Sequence, residues 1–79
     1  MSENEKSYVY YNPVTQRIFL KSEETVESVY IYNMSGKLLY GQDLQAKGEI
    51  NVDAQFVNNG VYLVRWITES GVRTAKLIK

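Results

Sequence analysis

The sequence has no cysteine, no histidine and a single proline among its 79 residues. Without cysteine there is no disulfide, and without cysteine or histidine no ordinary structural zinc site. A domain of this size hides only about 60–65% of the surface that its unfolded chain exposes. The fold must therefore rest on packing and strand pairing alone. The same absences exclude a Ser-His-Asp triad, a thiol nucleophile, an imidazole base and a haem held by His or Cys. Carboxylates remain, but Glu23, Glu24, Glu27, Asp43, Glu49, Asp53 and Glu69 are scattered over turns and strand ends. A glycosidase needs two of them about 5–10 Å apart across a cleft, and so short a chain has little material for one. Neither Asp53 nor the Glu23-Glu24 pair lies among the regularly spaced oxygen ligands of a calcium loop. The residue inventory predicts no enzyme, no cofactor and no metal.

Net charge is also missing: nine Lys plus Arg balance nine Asp plus Glu. A nucleic-acid binder normally carries a basic excess, so none is expected as a partner. The balance is uneven, because residues 61–79 hold Arg65, Arg73, Lys76 and Lys79 against Glu69 alone. No apolar run approaches the ~20 residues that span a bilayer as a helix. Residues 1–6 are acidic and polar, the opposite of a signal peptide. The chain divides into a disordered leader or linker remnant at 1–7 and one domain at 8–79.

What is present points to strands. Val, Ile, Thr, Tyr, Phe and Trp supply 28 of the 79 residues, and these types suit a pleated, half-buried surface. Short alternating runs separated by turn residues predict an all-β sandwich or barrel of about seven strands. The runs are 9–11, 17–21, 26–33, 37–40, 49–53, 61–68 and 72–78. Asn12-Pro13 closes the first, because proline lacks an amide donor and belongs at a strand end or edge. The charged stretch 22–25 reads as a turn and 41–48 as a loop. Gly36 stands where a short hairpin needs positive φ.

A two-residue loop at Ser70-Gly71 sets Trp66 opposite Ala75, Val64 opposite Leu77, Tyr62 opposite Lys79, and Arg65 opposite Lys76. Like charges facing each other must be solvated, so Tyr62, Val64, Trp66 and Leu77 turn to the core. The spacing Asn58-x-Gly60-x-Tyr62-x-Val64 resembles the immunoglobulin corner in which a tyrosine hydroxyl bonds back to upstream backbone.

Three blocks, in order, resemble the type A C-terminal sorting domain of type IX secretion cargo from Bacteroidetes. Tyr10-Tyr11-Asn12-Pro13-Val14 is similar to that family's opening Tyr-Pro-Asn-Pro-Val, with Tyr11 in place of the first proline. Val29-Tyr30-Ile31-Tyr32-Asn33, followed by Gly36-Lys37-Leu38-Leu39-Tyr40, is similar to its central block. Gly60-Val61-Tyr62-Leu63-Val64-Arg65, then Gly71-Val72-Arg73-Thr74-Ala75-Lys76-Leu77-Ile78-Lys79, is similar to its closing block and Lys-x-x-Lys tail.

The resemblance implies a compact immunoglobulin-like antiparallel sandwich at the C-terminus of a larger cargo protein. It implies a non-catalytic address label, carried through the periplasm to the outer-membrane surface of a diderm bacterium. Its partners would be the outer-membrane translocon, shuttle proteins and the N-terminal cargo domain. A surface sortase would then remove it and join the cargo to an anionic lipopolysaccharide.

Residues 71–79 are the expected recognition element, as a final strand at a sheet edge open to pairing with a partner. Lys76 and Lys79 would steer it toward an acidic receptor. Such an edge also invites a homodimer by strand pairing. Asn12-Pro13, Gly36 and Gly60 are read as turn geometry first. The alternative is a binding module for glycan or protein, using Tyr30, Tyr32 and Tyr40 as an aromatic platform.

Overall fold

The computed structural model describes residues 7–79, which form strands and turns and no helix. The leader expected over 1–7 lies, apart from Ser7, outside the described residues. The first strand, β1 (Tyr8–Asn12), ends in a turn that Asn12 builds. Its Oδ1 accepts the Val14 N–H at 2.9 Å and the Thr15 N–H at 3.4 Å, while the Gln16 N–H donates to the Asn12 carbonyl at 2.8 Å. The chain then reverses into β2 (Arg17–Asn33), pairing Tyr8 with Lys21 and Asn12 with Arg17.

The structure departs here from the expected seven strands. β2 runs unbroken through 22–25, and β3 (Leu38–Asp53) runs unbroken through 41–48, so there are five strands in one curled antiparallel sheet. The physical cause is visible at Ser22, which is 1% exposed. Its Oγ donates to the Glu24 carbonyl at 2.8 Å and accepts the Glu24 N–H at 3.1 Å. The backbone groups that a turn would have satisfied are satisfied locally, and the extra residues become bulges between Ser22 and Ser28. Bulges bend a strand and tighten its twist without ending it. On β3, Ala46 pairs with Val26, Asp43 with Ser28 and Gln42 with Val29, so the expected loop is ladder. The β2–β3 turn sits at 34–37, where the Asn33 side chain accepts the Ser35 and Lys37 N–H groups and Gly36 takes φ +93.

Bending lets the two long strands serve two leaves. In one leaf, residues 17–21 of β2 lie between β1 and residues 49–53 of β3. In the other, residues 26–33 of β2 lie between the first half of β3 and β4 (Val61–Thr68), which pairs in turn with β5 (Gly71–Ile78). Ile18, Leu20, Ile50 and Val52 from the first leaf meet Val29, Ile31, Val64 and Trp66 from the second in one buried cluster. Tyr62, Val64, Trp66 and Leu77 are 8%, 1%, 3% and 2% exposed. The Tyr62 hydroxyl donates to the Asn58 carbonyl at 2.6 Å, the corner that its spacing predicts.

Candidate functional site at the β5 edge

The closing hairpin has a different register from the expected one. Thr68 pairs with Gly71, Trp66 with Arg73, Arg65 with Thr74, Val64 with Ala75, Leu63 with Lys76 and Tyr62 with Leu77. The loop is Glu69-Ser70, still two residues but one position earlier than Ser70-Gly71, which slides the pairing register by two. Thr68 sets this: its Oγ1 accepts the Ser70 N–H at 3.2 Å and so closes the turn one residue early. Gly71 opens β5 at φ +131, a backbone state that side chains avoid. A slide of two keeps every side chain on its own face, because the strand period is two. Arg65 and Lys76 are therefore not directly opposed; Arg65 instead lies over the Tyr32 ring, 5.5 Å from its centroid.

Among the described residues, β5 joins the ladder through β4 alone. Its outer face carries Val72, Thr74, Lys76 and Ile78, all exposed, with Ile78 at 70%. Leu77 is the one fully buried side chain of the strand, and Ala75 is half-buried. On the side away from β4, β1 runs beside β5 without pairing to it: Ser7 shares a cavity with residues 72–75, and Tyr11 meets Lys79.

Side chains pin both ends of this strand. At the turn, the Glu24 carboxylate from the β2 bulge accepts hydrogen bonds from the hydroxyls of Ser70 and Thr68, the latter at 3.0 Å, and lies 3.9 Å from Arg73. The Ser70 and Thr68 bonds, with a lesser contribution from the Arg73 charge, hold the Glu24 carboxyl below its ordinary value against the opposing effect of burial. At the other end, Lys79 exchanges two backbone hydrogen bonds with Gly60 at 3.1 and 2.9 Å. Its ammonium donates to the carbonyls of Ala54 and Val57 at 2.8 and 2.5 Å, and sits 5.4 Å from the centre of the Tyr11 ring.

The two tail lysines thus differ. Lys76 is a solvated charge, whereas Lys79 is a half-buried fastener rather than a free steering group. The turn that holds Asn12-Pro13 reaches the 54–60 loop through Gln16, whose N–H bonds the Asn12 carbonyl and whose carbonyl accepts the Ala54 N–H, and Gly60 of that loop pairs with Lys79. Gly36 belongs to a separate turn. The tyrosines do not make one platform: Tyr40 faces Ile31 across the ladder on the core side and stacks on Phe56, while Tyr30 and Tyr32 occupy the opposite face. Sequence reading missed Glu24, Ser70 and Phe56 as contributors. The Thr68-Glu69-Ser70 run carried a signal for the Thr68–Ser70 turn bond, since hydroxyls beside a turn commonly bond its backbone, but none for its link to Glu24.

No curated protein matches this chain. A family model does: the secretion system C-terminal sorting domain matches residues 8–79, from the first residue of β1 through Lys79. That span takes in the Asn12 turn, the β2–β3 pair and the whole β5 edge, and the chain belongs to this family, the C-terminal sorting domains of type IX secretion.

Proposed function

We propose that this domain is a non-catalytic address label on a larger cargo protein, read by the outer-membrane translocon and its shuttle proteins through β5. The carrying observation is that, among the described residues, β5 pairs with β4 alone and turns Val72, Thr74, Lys76 and Ile78 to the outside while both its ends are pinned. Rigid ends and an open face suit recognition, because a partner need not order the strand before binding it. Lys76 supplies the charge that attracts an acidic receptor. Lys79 supplies shape, by holding the end of β5 on the 54–60 loop. In this reading the cargo passes through the periplasm to the outer-membrane surface, where a sortase removes the label and joins the cargo to an anionic lipopolysaccharide.

The test is a reporter carrying residues 8–79 in a host with a working type IX system. Export of the reporter is expected, and retention inside the cell overturns the sorting role. The pair Lys76→Glu with Ile78→Ser changes only exposed side chains, where effects on stability stay within about 0.5 kcal/mol. It is expected to reduce export with an unchanged unfolding midpoint. Normal export of that variant overturns the assignment to β5 while leaving the sorting role standing.

A further inference from the structure

Residues from both ends of β3, Tyr40 and Gln42 at one and 51–53 at the other, line a groove of about 670 Å³ with Arg17, Gln55 and Phe56. The volume lies within the ~300–1,000 Å³ of small-ligand sites. Phe56 is 48% exposed, and Tyr40 stacks beside it with ring centroids 5.6 Å apart. A loop phenylalanine this exposed gains little from folding. With Tyr40 stacked against it, nearly half of its surface remains open to a ligand.

The rest of the lining is polar and balanced. Arg17 and Asp53 stand opposite each other across the β2–β3 ladder, yet no ion pair joins them among the described residues. Arg17 instead donates its Nε–H to Asn51 Oδ1 at 2.6 Å, which orients the guanidinium and leaves its two terminal amino groups for a further partner. Asp53 accepts the Gln55 N–H through Oδ1 at 2.9 Å, which fixes the carboxylate and keeps its second oxygen open. The Tyr40 hydroxyl donates to Gln42 Oε1, so the Gln42 amide group points its own donors elsewhere. The groove therefore presents fixed donors, one fixed acceptor, a flat apolar ring and no net charge.

The geometry points to a binding site for a neutral pyranose sugar. A pyranose has an apolar C–H face that lies on a ring such as Phe56, and an equatorial rim of hydroxyls that each donate and accept. Two adjacent hydroxyls can bridge Arg17 and Asp53, accepting from the first and donating to the second, which satisfies both charges without bringing them together. A charged ligand fits less well, since either sign meets one of this pair unfavourably. The site is separate from the β5 edge and is independent of the sorting role.

The test uses the full 79-residue chain, ¹⁵N-labelled, titrated with cellotriose, maltotriose and, as a charged control, a trigalacturonate. Binding of at least one neutral trisaccharide is expected with Kd near ~1 mM, with amide shifts concentrated at Arg17, Asn51, Asp53 and Phe56. Phe56→Ala is expected to weaken it about tenfold. Asp53→Asn, which keeps the side-chain size and the bond to Gln55, is expected to weaken it less. Absence of saturable shifts with both neutral sugars, or shifts that Phe56→Ala leaves unchanged, overturns the site. Tighter binding of the trigalacturonate overturns the neutral class of ligand. Both variants alter exposed residues, and an unchanged spectrum outside the groove shows that each remains folded.

Discussion

The Lys79 ammonium lies 2.8 Å from the Ala54 carbonyl oxygen, a bond that reaches back 25 residues along the chain. With the second bond to Val57, it turns the apparently free tail charge into an internal fastening. Hydrogen bonds that involve a charged group contribute about 1.5–3 kcal/mol when buried, and less at a half-exposed site. Lys79→Met, which keeps the stem and removes the donors, is expected to destabilise the domain by about 1–2 kcal/mol. Lys76→Met is expected to shift stability by less than about 0.5 kcal/mol. Urea unfolding of the two variants, side by side, checks the contrast.

Glu24 makes the hairpin sensitive to acid. Its folded-state carboxyl titrates below the ordinary value of 4.5, mainly through the Ser70 and Thr68 hydroxyls. A depressed carboxyl contributes stability above its unfolded value, and that contribution is lost as pH falls through the folded value. Stability is therefore expected to decline once the pH drops below 4.5, and Glu24→Gln is expected to decline less over the same interval. Thermal unfolding of both proteins between about pH 6 and pH 3 reads the difference. Parallel curves would show that Glu24 does not couple the bulge to the hairpin.

Tyr62→Phe isolates the corner bond. The ring stays in the core and only the hydroxyl, 2.6 Å from the Asn58 carbonyl, is removed. The expected loss is about 1 kcal/mol, seen as a lower urea midpoint at unchanged slope.

Ser22→Ala tests the bulge that keeps β2 continuous. It removes a donor from the Glu24 carbonyl and an acceptor from the Glu24 N–H, in a part-buried setting. A cost of about 1–2 kcal/mol is expected, against less than about 0.5 kcal/mol for Glu23→Ala next to it. Equal effects at the two positions would remove Ser22 from its role in the bend.

Alternation made the faces legible: Tyr62, Val64 and Trp66 turn inward because every second residue must, and a register slide of two leaves that unchanged. Strand ends were less legible. The charged 22–25 stretch and the Gly41–Gly48 region have the composition of loops, and only the packed structure shows that Ser22 and the β2 ladder carry the chain straight through them. The Lys79 fastening left no trace in the sequence. Its acceptors are main-chain carbonyls of Ala54 and Val57, and any residue type supplies a carbonyl. Glu24 and Ser70, 46 positions apart, are likewise joined only once the leaves have folded together.

The approach of β1 to β5 bears on how fast the molecule forms. These are the first and last of the described strands, separated by roughly 60 residues, and all-β folds dominated by such distant meetings cross their barrier in milliseconds to seconds. Because β1 and β5 meet without pairing, each has one unladdered side, so amide hydrogens of these two strands are expected to exchange ahead of those in β2 and β4, which are paired on both sides.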